Sequence, residues 1–121
     1  MKSVIALSLL ASSVSANVEQ KREHNPVIEV FNCTTVTAYL EDDSEVQETT
    51  LTKIISSYER IEVHYKGVPY IVTDLDHSGS WAYGKTDLYS ITYSPDAKKG
   101  YLHLESKSVM FDTSKSNCFK G

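Results

Sequence analysis

Two cysteines, Cys33 and Cys118, constrain the fold of this 121-residue chain more than any other feature. They lie near opposite ends of the region that follows an export-type leader, so a bond between them would join the first strand to the last residues. In an oxidising compartment such a pair is usually bonded, and two free buried thiols are the alternative. Because the enclosed loop is long, the bond would stabilise the folded chain by about 4 kcal/mol.

The first sixteen residues have the pattern of a secretory signal peptide. Lys2 supplies a positive charge, residues 4–10 are apolar, and Val14-Ser15-Ala16 resembles a cleavage site. A structural N-terminal helix is the alternative, and the apolar run is too short to span a bilayer. We therefore expect a signal peptide over residues 1–16, a polar segment over 17–26 and one secreted domain over 27–121.

The charge of the chain limits the partners that it can attract. Without the leader, the chain has eleven basic and sixteen acidic side chains, a net charge of −5. This balance disfavours broad electrostatic attachment to nucleic acid or to anionic lipid. The four histidines are scattered along the sequence, so we predict neither a metal site nor a cofactor. We expect a soluble monomer that does not bind membranes.

The pattern of apolar residues predicts one helix among strands. Residues 27–31 and 34–40 have the composition and alternation of strands. Ser44 and Gln47 form a capping box, and apolar residues then recur near the helical period, which predicts an amphipathic helix over 45–58. Further strands are expected over 61–65, 70–72, 88–93, 101–105 and 109–111. The predicted fold class is α+β, with one helix packed on a twisted antiparallel sheet.

Several short motifs, in this order and with both cysteines, resemble a known family. They are Phe31-Asn32-Cys33, Gly67-Val68-Pro69-Tyr70, Leu88-Tyr89-Ser90-Ile91, residues 99–104 and Asn117-Cys118-Phe119-Lys120-Gly121. Together with the leader they resemble the ribonuclease-like effectors that powdery mildew fungi secrete from haustoria. The resemblance implies a microbial ribonuclease-like fold and a virulence protein delivered into plant tissue, where it can be translocated into the host cell cytoplasm. It also implies binding to host protein or RNA and recognition by host immune receptors.

The catalytic set of guanyl-specific ribonucleases is not found at the matching positions. These enzymes need a carboxylate base, a histidine acid and a phosphate-binding arginine. Arg60 stands where the resemblance requires one histidine, Lys107-Ser108 where it requires the acid, and the base has no clear counterpart. The resemblance therefore implies a pseudoenzyme with no catalytic residues. Our candidate contacts to RNA or a protein partner are Tyr58, Arg60, His64, Lys66 and Lys85, although a solvated surface explains these side chains equally well.

Two other functions compete with this hypothesis. One is an active ribonuclease in which His64 and His103 act with Glu62 or Glu105, because strand alternation places each histidine on the same face as its glutamate. The other is a bacterial periplasmic inhibitor or binding module, such as a small barrel that blocks host lysozyme. The predicted helix argues against a pure barrel, so the fold class discriminates between the effector and the inhibitor.

Overall fold

The computed structural model describes residues 28–121, which form ten strands of one antiparallel sheet. The signal peptide and the polar segment predicted from the sequence lie outside the described residues. The strands are β1 (Glu29–Leu40), β2 (Glu45–Ser56), β3 (Arg60–Tyr65), β4 (Val68–Thr73), β5 (Asp76–Ser78), β6 (Trp81–Lys85), β7 (Ser90–Ser94), β8 (Lys99–His103), β9 (Lys107–Asp112) and β10 (Cys118–Lys120). Within this part of the chain no helix has the length and apolar character needed to cross a membrane.

The predicted α+β fold class is wrong, because the segment expected to be a helix is strand β2. Alternate residues of its second half, Thr52, Ile54 and Ser56, are buried in the interior, while Leu51 is 61% exposed. Two of these three buried side chains are polar, so the alternation of a half-buried strand is hidden in the sequence. The clustered β-branched residues of 49–55 suit a strand better than a helix, and tertiary pairing with β1 and β3 decides the outcome.

The sheet curls into a half-barrel. Its strand order is β4-β3-β2-β1-β9-β8-β7-β6-β5, so nearly every strand pairs with its neighbour in sequence, and the β1–β9 pair joins the two halves. β10 pairs with the first part of β1, and β9 with the second part. The two edge strands, β4 and β5, follow one another in the chain and run in the same direction. The two edges come near each other where β4 contacts β6 without pairing with it, and this region is called the seam.

Close packing across the seam depends on a glycine. Asp74, with a φ of 53°, and Leu75 link β4 to β5. A Cβ atom on Gly84 of β6 would lie 2.8 Å from side-chain atoms of both Val72 and Leu75. A residue with a side chain would not fit there, so Gly84 lets β6 approach β4.

The interior of the half-barrel is filled by the inward-facing residues of all the long strands. The largest fully buried side chains are Tyr93, Phe111, Ile54, Ile61, Ile91 and Leu102. Cys33 and Cys118 lie directly opposite each other on β1 and β10, and the structure confirms the predicted disulfide between them. The bond fixes the last strand to the first one.

A two-residue turn follows β3. Lys66 and Gly67 both have positive φ, 51° and 81°, and they connect β3 to β4. Two successive residues of this conformation give the turn whose twist matches that of the flanking strands. The strands predicted near 61–65, 101–105 and 109–111 are confirmed as β3, β8 and β9 with shifted ends, whereas β5, β6 and β10 were not predicted.

β4 is an edge strand whose outward backbone groups are covered. Pro69 has no backbone N–H that a further strand could use. The hydroxyl of Tyr89, from the link between β6 and β7, accepts a hydrogen bond from the N–H of Ile71 and donates one to its carbonyl, both at 3.0 Å. The Tyr89 ring packs edge-on against Tyr70, with centroids 5.0 Å apart. These contacts hinder pairing of β4 with another chain.

Replacing Tyr89 by phenylalanine should weaken the seam without changing the fold. The variant Tyr89→Phe keeps the ring but loses both hydrogen bonds to Ile71, so we expect a loss of about 1–2 kcal/mol of unfolding free energy. Amide hydrogen exchange should show faster exchange at Ile71. The control is Tyr83→Phe, whose hydroxyl makes no hydrogen bond within residues 28–121 and whose stability should stay unchanged. Unaltered exchange at Ile71 would contradict this role for Tyr89.

Candidate binding cleft

A cleft of about 310 Å³ opens at one end of the half-barrel. At this end, called the cleft end, lie the turns 57–59, 79–80 and 95–98, whereas the turns 41–44, 66–67, 86–89 and 104–106 lie at the opposite end. The residues that line the cleft are Glu29, Ser56, Ser57, Tyr58, Ile61, His77, Ser80, Ala82, Tyr93, Pro95 and Asp96. The cleft thus opens directly onto the buried interior.

An aromatic pair forms one side of the cleft. Tyr58, in the turn between β2 and β3, stacks on His77 of β5, with ring centroids 4.2 Å apart and planes 8° apart. The Nε2 atom of His77 also lies 3.0 Å from the Tyr58 carbonyl oxygen. Since β3 and β5 belong to opposite sides of the seam, this pair connects the two sides at the cleft end. Tyr58 remains 60% exposed, so one face of its ring is available to a ligand.

The floor of the cleft is apolar, and its remaining wall is acidic. Ile61, Ala82 and Tyr93 form the floor, and each of them is at least nine-tenths buried. Burial raises the pKa of Tyr93, and the carboxylate of Glu29 acts in the same direction. Asp96 adds a second carboxylate from the turn after β7. The cleft can therefore accept an apolar group at its floor and a positive group at its wall.

A charged cluster around Glu48 lies at the opposite end of the half-barrel. The hydroxyl of Tyr65 donates a hydrogen bond to Glu48, and the Nζ atoms of Lys66 and Lys107 each lie 3.3 Å from its other oxygen. Burial alone would raise the pKa of Glu48, but these hydrogen bonds outweigh it and lower the pKa. The two ammonium groups also lie over the Tyr65 ring, at 5.4 and 5.0 Å. The polar groups of this cluster satisfy one another, and a wider, more open concavity of about 570 Å³ lies at the same end between the turns 86–89 and 104–106.

The stability of the fold should fall at alkaline pH because of Tyr65. Burial, reinforced by the hydrogen bond to Glu48, raises the pKa of Tyr65 to about 12, against 10.0 for an unperturbed tyrosine. The folded state thus retains the Tyr65 proton after the unfolded state has lost it. The contribution of Tyr65 to the free energy of unfolding is therefore complete below pH 10 and is lost between pH 10 and 12. Two pKa units correspond to about 2.7 kcal/mol. Denaturant unfolding across this range should show the loss, and Tyr65→Phe should remove the part due to Tyr65 while the part due to Tyr93 stays.

A second charged cluster lies on the outer face of β3. Glu62 accepts hydrogen bonds from Arg60 Nε at 2.9 Å and from the ring Nε2 of His64 at 3.0 Å when that nitrogen is protonated. The hydrogen bond from His64 lowers the pKa of Glu62, burial opposes it, and Arg60 lowers it further. The Glu62 carboxylate therefore neutralises Arg60 and holds the ring of His64, two of the five candidate contacts.

The five candidate contacts predicted from the sequence do not share one surface. Arg60 and His64 lie together around Glu62, and Tyr58 lies at the rim of the cleft. Lys66 lies at the opposite end, where Glu48 pairs with it, and Lys85 ends β6 at that same end. Within residues 28–121, the structure therefore gives no single basic face that includes all of them.

The residues of the competing ribonuclease hypothesis are also dispersed. His64 and Glu62 do share a strand face, as predicted, but His103 lies on β8, with three strands of the sheet between it and β3. The ring of His103 stacks on Tyr101, and its Nδ1 atom lies 2.9 Å from the Ser108 hydroxyl. Glu105 is exposed in the turn after β8. The described residues contain no group of three or more His, Cys, Asp or Glu arranged to hold a metal ion.

The residues that sequence reasoning missed are those that complete the cleft. His77 is one of the four histidines that appear scattered along the sequence, and it lies in β5 and stacks on Tyr58. Glu29 and Asp96 drew no attention, because they come from distant segments that only the curling of the sheet brings together. Comparisons of this chain with protein-family models, with curated proteins and with solved structures find no match.

Proposed function

We propose that this chain is an exported, non-catalytic binding module whose binding site is the cleft. The observation that carries the proposal is an opening onto an apolar floor with an exposed aromatic ring at its rim. Concave sites of a few hundred Å³ with an apolar lining and a few polar groups are typical of ligand binding. The leader pattern suggests export. The effector resemblance suggests a host plant protein as the partner, although the all-β structure contradicts the microbial ribonuclease-like fold that the resemblance implied.

The distribution of charge favours a protein or small-molecule partner over RNA. An RNA-binding groove combines aromatic side chains with a continuous track of positive charge. Here Arg60 pairs with Glu62, Lys66 pairs with Glu48, and the cleft itself has carboxylates at its wall. The exposed aromatic ring therefore has acidic surroundings on its cleft side. It also shares a neighbouring concavity with Arg60, whose charge Glu62 balances, so no continuous positive track for RNA phosphates runs past the ring.

A capture experiment with matched variants tests the proposal. Immobilised full-length chain is incubated with plant-cell extract, and the retained proteins are compared with those held by Tyr58→Ala and by Lys85→Ala. We expect a partner that the parent and Lys85→Ala retain and that Tyr58→Ala loses, because only Tyr58 lies at the cleft. Equal retention by all three proteins would rule out the cleft as the binding site, and preferential retention of RNA would rule out the protein partner.

The inhibitor alternative gains from the observed architecture. The predicted helix was the argument against a small barrel-like inhibitor, and the structure has a strand in its place. A lysozyme inhibition assay with the same three proteins therefore belongs beside the capture experiment. Inhibition that Tyr58→Ala abolishes would favour a bacterial inhibitor over a plant-directed effector. Incubation with total RNA, with His64→Ala as the comparison, tests the active ribonuclease.

A further inference from the structure

Apart from the His77 ring, the ionisable side chains of the cleft are acidic. Its lining includes two carboxylates, Glu29 and Asp96, and among the described residues no lysine or arginine contributes to it. Neither carboxylate forms an ion pair within residues 28–121, whose ion pairs centre on Glu48 and Glu62. Two acidic groups beside a low-dielectric floor attract a positive charge more strongly than they would on an open surface.

The other surfaces of the cleft suit the apolar part of a cationic ligand. Ile61 and Ala82 form an apolar floor, and Pro95 extends it towards the rim. The exposed face of Tyr58 can lie against a cation, which the electron-rich face of an aromatic ring attracts. The serine hydroxyls of Ser56, Ser57 and Ser80 add hydrogen-bond acceptors.

We propose that the cleft binds an ammonium or guanidinium group carried on a short apolar stem. The group comes from a free small amine or from a lysine or arginine side chain of a protein partner, and the inference rests on the proposed binding function of the cleft. Glu29 and Asp96 accept hydrogen bonds from the cationic group, and the stem packs on Ile61 and Ala82. A volume of about 310 Å³ is at the lower limit for ligand pockets, which suits one side chain or a small amine.

Three ligands that share a benzyl group distinguish the effect of charge on binding from the effect of shape. Full-length chain is titrated with 2-phenylethylamine, 2-phenylethanol and phenylacetate, and binding is followed by calorimetry and by NMR shifts of Ile61 and Ala82. We expect the amine to bind at least tenfold more tightly than the alcohol and phenylacetate not to bind. Added salt should weaken the binding of the amine and leave that of the alcohol unchanged.

Isosteric variants then assign the selectivity to the two carboxylates. Glu29→Gln and Asp96→Asn should each weaken amine binding about five- to tenfold, while binding of 2-phenylethanol stays the same. Asp87→Asn is the matched control, because Asp87 is also an exposed turn aspartate but lies at the opposite end. Amine binding that survives both substitutions would overturn the assignment, as would phenylacetate binding as tightly as the amine.

Short peptides distinguish the two sources of the cation. The first is a blocked tripeptide Gly-Lys-Gly, and its control has glutamate in place of lysine. If the lysine peptide binds more tightly than the free amine and the glutamate peptide does not bind, the ligand of the cleft is a protein side chain. The reverse order identifies the ligand as a free amine. Equal binding of amine and alcohol at the cleft overturns this inference but leaves the proposed binding function standing, whereas the capture experiment with Tyr58→Ala tests that function separately.

Discussion

Removal of the disulfide should cost this fold about 4–5 kcal/mol of unfolding free energy, the largest effect that we expect from any small change. Cys33 and Cys118 are separated by 85 positions in sequence, and closing a loop of that length restricts the unfolded chain strongly. A domain of this size has only about 5–15 kcal/mol of stability, so the loss takes a large share. The double variant Cys33→Ala/Cys118→Ala suits the test, because alanine leaves no buried hydroxyl in place of either sulfur.

The local consequence of this change is as informative as the global one. β10 is held against β1 by three residue pairs and by backbone hydrogen bonds from Thr34 N–H to Asn117 C=O at 2.8 Å and from Gly121 N–H to Val30 C=O at 2.9 Å. Without the covalent link we expect residues 118–120 to exchange their amide hydrogens far faster than β8 or β9. Denaturant unfolding of the variant and of the parent reduced with a phosphine should agree. A loss below 1 kcal/mol in both would contradict the role assigned to the bond.

The sequence indicates strands well where the inward positions are large and apolar. Leu102 of β8 and Val109 of β9 show the alternation of a half-buried strand, and both were assigned correctly. β6 was missed because its inward positions are Ala82 and Gly84, which are small and produce no apolar signal. β2 was mistaken for a helix because its inward positions include Thr52 and Ser56. These inward positions of both strands hold residues that are small enough to fit rather than strongly apolar, so the alternation of hydrophobicity that predicts a strand is missing.

The cleft could be predicted only in part, because it is a product of the closure of the sheet. Tyr58 was chosen because it matches an aromatic position of the ribonucleases two residues before Arg60, and it does lie at the rim. Its partner His77 comes from an edge strand of three residues, for which the sequence gives no alternation. Glu29 and Asp96 are far apart in the chain, and neither belongs to a recognisable motif. A resemblance based on short motifs and cysteine positions also implied a helix that the structure does not have.

Replacing Gly100 by alanine should destabilise the core by about 2–3 kcal/mol, although alanine normally stabilises a strand relative to glycine. Gly100 pairs with Tyr93 on one side and with Phe111 on the other, and those two rings close over it with centroids 5.9 Å apart. A Cβ atom there would contact the Phe111 ring and lie 2.9 Å from Tyr93. Because both rings are buried, neither can move aside without disturbing its neighbours.

A second substitution shows whether the added methyl group and the Phe111 ring compete for the same space. Phe111→Leu alone should cost roughly 2 kcal/mol, because it leaves a cavity in the core. Combined with Gly100→Ala, it should cost about 1–2 kcal/mol less than the sum of the single losses, since the methyl group fills part of that cavity. Leu51→Ala is the control partner, because Leu51 is 61% exposed on β2 and lies outside the core that holds Phe111, so its effect should add to that of Gly100→Ala. The free energies of unfolding are measured with denaturant. If the losses of Gly100→Ala and Phe111→Leu simply add, the methyl group and the Phe111 ring do not compete for the same space.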